Sequence, residues 1–221
     1  MTGSPVSPDR PLRRDAERNR QRILDAAREV FAEQGLRGSH DEIARRAGVG
    51  VGTVYRRFPD KEQLIDALFE DRVAEIAELA HAALAMDDPW EGLTLFLVRG
   101  QELQSGDRGL KELILGADGG HARVERARGE ISPLVQQLLD RAQAAGAVRA
   151  DVAVTDLPLI QFALGAIVDA THATAPDAWR RALAIVLDGL RSPDPSPLGA
   201  PPLTLEQFDC AMHEMSSARR R

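Results

Sequence analysis

Aromatic residues make up only 4% of this 221-residue sequence, and cysteine occurs once, as Cys210. A single cysteine excludes an internal disulfide and is typical of proteins of a reducing cytoplasm. The first residues, MTGSPVSPDRPLRRD, lack the apolar core of a signal peptide, and no apolar run is long enough to span a bilayer. We therefore expect a cytoplasmic protein with no membrane partner.

The composition that is present favours helices. Alanine, leucine and arginine are abundant, a hydrophobic content of 43% supports a buried core, and a charged content of 28% suits a water-exposed surface. Apolar residues recur at helical spacing through most of the chain, and no segment shows the alternation of a half-buried strand or an internal repeat. The predicted fold class is all-α.

Charge is divided unevenly along the chain. Residues 1–61 hold 13 Lys and Arg against 9 Asp and Glu, a net charge of +4, whereas residues 62–221 hold 15 against 25, a net charge of −10. Such an asymmetry is expected when one part of a protein meets phosphate groups and the other does not. It indicates that the N-terminal part binds nucleic acid, in spite of an overall net charge of −6.

Two very short helices are predicted in this basic part. Ser39 is a suitable N-cap for a helix over His40–Ala47, with Glu42 at the position that completes a capping box. The glycines of Gly48-Val49-Gly50 form a tight turn, and a second helix covers Val51–Phe58. Two short helices joined by a glycine turn are the helix-turn-helix arrangement.

A longer helix is predicted on each side of this pair. The first runs from Ala16 to Gln34, with Gly35 as its C-terminal cap, and the second runs from Lys61 into the low eighties. Residues 1–15 begin with proline, glycine and serine and are expected to form a disordered arm.

The segment GLRGSHDEIARRAGVGVGTVYRRFPDK resembles the DNA-binding domain of TetR-type transcriptional repressors. The resemblance combines the pattern of the first helix, the I-A-x-x-A-G-V turn, and G-T-x-Y-x-x-F followed by a lysine, all at fixed spacings. It implies a three-helix helix-turn-helix DNA-binding domain over residues 16–76, joined by a long helix to an effector-binding and dimerisation domain over residues 77–221. The latter match the family only in being helical and of suitable length.

The second short helix carries side chains that suit a DNA contact. Gly52 lets the backbone approach DNA closely, and Thr53 offers a hydroxyl and a methyl group to a base edge or a phosphate. The guanidinium groups of Arg56 and Arg57 can pair bidentately with guanine.

The resemblance assigns phosphate contacts to the positions of Tyr55 and Lys61. Lys61 also lies at the N-terminus of the next helix, where anions are favoured. A tyrosine by itself fits a packing role equally well, and a single arginine most often belongs to a solvated face. Taken together, the candidate DNA contacts are Ser39, His40, Arg45, Gly52, Thr53, Tyr55, Arg56, Arg57 and Lys61.

Two positions depart from the family pattern. Gly50 stands where family members often have serine or another capping residue, so the second short helix lacks a side-chain cap. His40 stands where an apolar residue is common. Either it packs inside the domain, which we favour, or it turns outward to a phosphate.

Further helices are predicted in the rest of the chain, and the resemblance implies that two apolar ones near the end form a four-helix interface with their mates in a homodimer. The alternative is that both belong to the core of a monomer. The predicted helices run from Asp88 to about Gln104, from Asp107, over His121–Arg128, from Ser132 to Ala145, from Thr155 or Asp156 to Thr171, over Asp177–Leu190 and from Thr204 onward. The candidate dimer contacts are Ile160, Ala163, Ile167, Ala170, Trp179, Leu183, Val186 and Leu187.

The resemblance also implies an effector pocket between helices of the middle region, although each aromatic there fits the core as well. The scarcity of aromatics points to no particular class of ligand. The candidate ligand contacts are Trp90, Phe96, Gln101, Leu113, His121 and Phe162.

Signatures of an enzyme are lacking. The five histidines are scattered, apart from a loose Asp169 and His172 pair, and neither a P-loop nor a G-x-S-x-G motif occurs. The glycines of GVGVGT follow a helix rather than a strand, which argues against a dinucleotide site. We expect no cofactor and no metal.

These observations predict a ligand-responsive repressor that binds a palindromic double-stranded DNA operator as a homodimer and responds to an unknown small-molecule effector. Two alternatives stay open. One is a transcriptional activator or a constitutive DNA binder without effector release. The other is a helical enzyme or adaptor whose DNA-binding head is vestigial.

Overall fold

The computed structural model describes residues 9–34, 37–106, 120–191 and 195–218. These residues form nine α-helices and no β-strand, so the all-α prediction is confirmed. In chain order the helices are α1 Asp9–Gln34, α2 His40–Ala47, α3 Val51–Arg57, α4 Lys61–Leu84, α5 Pro89–Gly106, α6 Gly120–Ala144, α7 Asp156–Thr171, α8 Ala178–Leu190 and α9 Leu205–Ala218.

The chain divides into two compact units, and the boundary falls between Glu70 and Asp71, within α4. The sequence predicted this boundary six residues later, after Ile76. The predicted cap at Gly35 and the predicted short helix after Asp107 lie outside the described residues.

Helix α1 is longer than predicted. It begins at Asp9, so the expected disordered arm does not extend over residues 9–15. The reason is the position of Pro11 in the first turn, where the backbone N–H that proline lacks would have no helical acceptor. An ion pair between Arg18 and Asp15 joins the following turn.

Helix α2 begins and ends as predicted. The Ser39 hydroxyl accepts a hydrogen bond from the backbone N–H of Glu42 at 3.2 Å and caps the helix. At the other end, Gly48 has a φ of 63° and a ψ of 38°, a left-handed conformation that glycine adopts without steric strain. Arg22 of α1 donates a hydrogen bond to the Gly48 carbonyl at 3.3 Å, which ties the turn to α1.

Helix α3 lacks a side-chain cap, as the glycine at position 50 predicted. The backbone N–H of Thr53 donates to the Gly50 carbonyl at 2.8 Å. The helix ends at Arg57, and the N–H of Phe58 closes its last turn by donating to the carbonyl of Val54 at 2.7 Å.

A shared apolar core orients α3 within the first unit. Burying one large apolar side chain stabilises a fold by about 1.5–3 kcal/mol, so α3 is held mainly by Val54 and Phe58, which are 0% and 4% exposed. Val49, in the turn before α3, is half-buried. The other buried residues of this core include Ile23, Ala27, Phe31, Ile43, Ala44, Ala47, Leu64, Ile65 and Leu68.

The second unit differs from the prediction at α6. The sequence predicted two helices, His121–Arg128 and Ser132–Ala145, whereas one helix runs through both with Pro133 inside it. Proline cannot donate to the carbonyl four residues earlier, which removes one helical hydrogen bond. Apolar residues beyond Pro133, such as Val135 and Leu138, and the half-buried Ile131 before it pack against one core, and this packing offsets the lost bond.

Candidate nucleic-acid interface and cavity

Helix α3 presents one packed face and one open face. Val54 is fully buried and faces the core, whereas Gly52, Arg56 and Arg57 are exposed, and Tyr55 is 49% exposed. Seven residues make fewer than two complete helical turns, so these exposed groups crowd onto a small surface. Thr53, half-buried at the edge of this surface, completes the set predicted on α3.

Gly52 has space around it that the fold does not use. A Cβ atom built at this position would meet no heavy atom within 4 Å. Glycine in a helix lowers stability by roughly 0.5–1 kcal/mol relative to alanine. Packing within the described part of the chain therefore gives no reason for glycine here.

His40 is buried and packs against the ring of Tyr55. His40 is 8% exposed, and its ring stacks on the ring of Tyr55 with the two ring centroids 4.7 Å apart. The Nε2 atom lies 3.1 Å from the Phe58 carbonyl oxygen, which only accepts, so Nε2 carries the hydrogen and donates. Of the two roles considered for His40, the structure shows packing, and its burial removes it from the candidate phosphate contacts.

The arginines of α2 are engaged by carboxylates. Arg46 donates two hydrogen bonds to Glu33 of α1, at 2.8 and 2.9 Å. Arg45 donates two to Glu42, at 3.0 and 2.5 Å, although its side chain is 70% exposed. The hydrogen bond from Arg46 holds the pKa of Glu33 below its ordinary value, and the one from Arg45 does the same for the pKa of Glu42. Both arginines are thus neutralised locally, which the sequence did not reveal for the candidate Arg45.

The arginines of α3 are different. Arg56 and Arg57 are exposed and have no ion-pair or hydrogen-bond partner within the described part of the chain. Two guanidinium groups without a described counter-charge, beside an exposed phenol, give α3 a surface that suits an anion.

The two remaining candidates flank this surface. Ser39 is exposed, and its hydroxyl is used by the α2 cap. Lys61 is half-buried at the first residue of α4, and the neighbouring Asp60 caps that helix by accepting from the Gln63 backbone N–H at 2.8 Å.

The second unit contains a cavity of about 310 Å³ with mostly apolar walls. Its described lining includes no charged side chain, and its polar side chains are Gln104, Ser132, Thr155 and Gln161. The apolar lining comes from several helices and includes Ile76, Phe96, Leu97, Ile131, Val135, Leu157, Phe162, Leu205 and Phe208.

The cavity agrees only partly with the predicted ligand contacts. Phe96 and Phe162 line it, whereas Trp90 and Gln101 do not. Trp90, near the N-terminal end of α5, packs against the core, and Gln101 is 0% exposed, with its amide donating to the Ser105 hydroxyl at 3.3 Å. Helical spacing identifies apolar residues but does not say which side of α5 faces a void. Leu113 and the side chain of His121 lie outside the described residues.

Other residues that line the cavity were not predicted from the sequence. Gln161 is 8% exposed, and its amide nitrogen donates to the Leu97 carbonyl at 3.0 Å. Leu205 and Phe208 of α9 reach the cavity from the C-terminal end of the chain. The glutamine at position 161, in a mostly apolar helix, was the one indication of a lining residue in the sequence. Nothing in the sequence indicated that α9 lines the cavity.

The predicted dimer contacts fall into three groups. Trp179 and Leu183 are 4% and 2% exposed and belong to the chain's own core, which corrects their assignment to an interface. Helix α8 is apolar on two faces, and these two residues share the inward face with Leu190. Ala163 and Ala170 are exposed, while the half-buried members are Ile160, Ile167, Val186 and Leu187.

Two further features are absent from the described residues. None of the described helices is long and apolar enough to cross a membrane. Within the same residues, no group of three or more His, Cys, Asp or Glu side chains is arranged to hold a metal ion.

Comparison with known proteins agrees with this geometry. A family model described as bacterial regulatory proteins of the tetR family matches residues 23–68, and a second, described as the SbtR-like transcriptional regulator C-terminal domain, matches residues 88–192. The structure of a TetR transcription regulatory protein from Mycobacterium vanbaalenii is 38% identical, with a TM-score of 0.66, over 82% of this chain and 100% of that one. A TetR transcriptional regulator from Streptomyces coelicolor is 33% identical, with a TM-score of 0.60, over 79% of this chain and 99% of that one.

Curated relatives match over a shorter stretch. An HTH-type transcriptional regulator from Staphylococcus aureus is 46% identical over 54 residues, which are 24% of this chain and 29% of the relative. This chain thus matches less than a third of the length of that regulator.

Proposed function

Because this chain belongs to the TetR family of DNA-binding transcriptional regulators, we propose that it represses transcription by binding a palindromic operator as a homodimer until a small molecule occupies its cavity. Relatives in this family are transcription factors and not enzymes, so the alternative of a helical enzyme is set aside. The observation that carries the proposal is the open face of α3, where two arginines without a partner in the described part of the chain lie beside an exposed tyrosine.

In this proposal the residues of α3, together with Lys61 of α4, make two kinds of DNA contact. Arg56 and Arg57 enter the major groove and hydrogen-bond to base edges, together with Thr53. Tyr55 and Lys61 hold phosphates and fix the orientation of the helix, without reading sequence.

The N-terminal part of the interface is secondary. Ser39 lies at the N-terminus of α2, where a phosphate is favoured by the helix dipole. Arg45 contributes less than Arg56 because a DNA contact would first have to replace its two hydrogen bonds to Glu42.

The homodimer forms through α7 and α8. Ala163 and Ala170 let the helices of two chains approach closely, and Ile185, 64% exposed on α8, supplies apolar area. The half-buried Ile160, Ile167, Val186 and Leu187 complete the proposed contact. A two-fold dimer would offer two α3 helices to half-sites about 34–36 Å apart on one side of the duplex.

Effector binding acts through α4. Ile76 of this helix lines the cavity, and the same helix starts at Lys61, directly after the DNA-binding segment. An effector that binds better to one orientation of α4 shifts the protein toward that orientation, and release follows if the favoured orientation spaces the two α3 helices wrongly. Residues 16–76 then serve as the DNA-binding domain and residues 77–221 as the effector-binding and dimerisation domain.

The test uses duplex fragments from around the protein's own gene, labelled for fluorescence anisotropy. We expect one fragment to bind tightly, and addition of a compound that fills the cavity to release it. A reporter gene placed behind that fragment should be expressed less in cells that contain the protein. Higher expression would indicate an activator, and tight binding that no cavity ligand weakens would indicate a constitutive DNA binder.

A further inference from the structure

We propose that residues 195–211, the C-terminal strap, form a wall of the cavity whose separation from the rest of the second unit limits how fast an uncharged, largely apolar effector enters or leaves. The inference rests on the proposed function of the cavity as the effector site, and it adds how access to that site is controlled.

Side chains of the loop before α7 fasten the strap by hydrogen bonds. Arg149 donates to the Ser196 carbonyl at 2.5 Å, and Thr155 donates through its hydroxyl to the Leu203 carbonyl at 2.9 Å. Thr155 is 5% exposed and lines the cavity, so the second fastening point lies directly at the cavity wall.

The strap then turns into α9 through a reciprocal cap. The Thr204 backbone N–H donates to the Gln207 side-chain oxygen at 2.9 Å, and the Gln207 N–H donates to the Thr204 hydroxyl at 3.2 Å. This cap starts α9 so that Leu205 and Phe208 line the cavity. Phe208 is 7% exposed there, whereas Leu205 is 58% exposed.

Little apolar packing holds the strap in place. Residues 195–202 are all exposed, and among the described side chains of α9 only Phe208 is buried. Segments with few buried contacts open at the low end of the range of local unfolding free energies. The helical walls from α5, α6 and α7 belong to the buried core, so among the described walls the strap separates most easily.

The family model that covers the second unit ends at residue 192, before the strap begins.

The chemistry of the lining selects an uncharged occupant. A charged group buried against apolar walls without a partner is strongly unfavourable, and the described lining offers no opposite charge. The Gln161 side-chain oxygen is buried and has no hydrogen-bond partner in the described structure, so an occupant carrying an N–H or O–H suits this part of the unit.

The probe is N-phenyl-1-naphthylamine, an uncharged aromatic amine that fluoresces in apolar surroundings, mixed with the full-length protein by stopped flow. Thr155→Val removes the bond to Leu203 while keeping the shape of the side chain, and the Thr155 hydroxyl makes no cap bond to α7. Thr171→Val is the matched control, because it removes a hydroxyl bond of the same helix, to the Ile167 carbonyl, away from the strap.

If opening of the strap limits exchange of the probe, Thr155→Val raises both the association and the dissociation rate constants by about 2- to 10-fold, the range expected for one hydrogen bond. Thr171→Val leaves both unchanged. If the strap only added contact area, Thr155→Val would change the dissociation rate constant of the probe alone. An unchanged association rate constant in Thr155→Val therefore overturns the proposal.

A second pair of variants covers the aromatic walls. Phe208→Ala on the strap should raise the association rate constant further, whereas Phe162→Ala on α7 should weaken binding without faster association. Equal association rates in these two variants also contradict the proposal.

A matched charged probe tests the ligand class. The same amine with a sulfonate group, 8-anilinonaphthalene-1-sulfonate, should bind at least tenfold more weakly. Equal binding of both probes, or no binding of the neutral one, overturns the effector class and with it the cavity's proposed role. If the neutral probe binds but its rate constants are the same in Thr155→Val as in the wild type, only the proposed role of the strap is overturned. Operator binding, measured on the same samples, tests the proposed repression separately.

Discussion

The imidazole of His40 and the phenol of Tyr55 stack in the first unit, with ring centroids 4.7 Å apart and planes inclined by 14°. His40 is fixed from the other side by its hydrogen bond to the Phe58 carbonyl at 3.1 Å. The buried ring of His40 thus orients the exposed phenol of Tyr55. This contact gives a physical role to the histidine at position 40, where an apolar residue is common in the family.

We expect His40 to act on DNA binding through Tyr55. His40→Ala and Tyr55→Phe should each weaken binding to operator and to random DNA alike, because a phosphate contact carries no sequence information. In the double variant the loss should be smaller than the sum, by about 1 kcal/mol. Fluorescence anisotropy on the four proteins measures this coupling, and additive losses would show that His40 acts independently of Tyr55.

Arg56 should contribute to sequence selectivity. Arg56→Ala should lose about 1–3 kcal/mol of binding free energy on the operator and much less on random DNA, because a bidentate contact to guanine is lost. Arg45→Ala is the control, since that arginine is already bonded to Glu42, and its loss should be clearly smaller. Equal losses on both kinds of DNA would place Arg56 at a phosphate instead.

Lys61 should contribute charge without selectivity. Lys61→Ala should weaken binding to all sequences, and the slope of log affinity against log salt should become shallower by about 1 for each DNA-bound head. A titration series in salt measures this slope. An unchanged slope would remove Lys61 from the phosphate contacts.

Gly52 should show opposite effects on stability and on binding. Gly52→Ala should stabilise the first unit by about 0.5–1 kcal/mol, because no atom lies within 4 Å of the added carbon, and it should weaken DNA binding. Gly129→Ala in α6 is the matched control, because its added carbon also meets nothing within 4 Å. It should leave DNA affinity unchanged. Denaturant unfolding and anisotropy measure the two effects, and undiminished affinity in Gly52→Ala would mean that DNA does not approach position 52.

The bond between Glu33 and Arg46 predicts a pH dependence of stability. The pKa of Glu33 lies below its ordinary value of 4.5 in the folded state, so the stabilisation is present above that value and is lost as the pH falls through the lowered pKa. Glu33→Gln should therefore destabilise the first unit at neutral pH, and the difference from wild type should shrink in acid. Glu29→Gln, which removes only a 3.7 Å contact to Arg46, should have a smaller effect at neutral pH. A pH-independent difference in denaturant midpoints would contradict this account.

The first unit was largely predictable because local rules decide it. Ser39 caps α2 and the glycine turn ends it, so its helix bounds follow from short-range hydrogen bonds. Pro133 was misread, because packing of α6 over its whole length outweighs one missing bond. The pairing of Arg45 with Glu42 has the i,i+3 spacing of a single helix and was overlooked. The pairing of Arg46 with Glu33 of α1 and the approach of Phe208 to the cavity depend on tertiary structure and left no local pattern to detect.

The most direct test of the central claim is selection of DNA by the wild-type protein from a library of random duplexes, followed by sequencing. If the open face of α3 reads DNA in a two-fold dimer, the selected duplexes contain an inverted repeat whose half-site centres lie about 10–10.5 base pairs apart, or a multiple of that spacing. Recovery of duplexes with no shared sequence, even at low salt, would contradict the account.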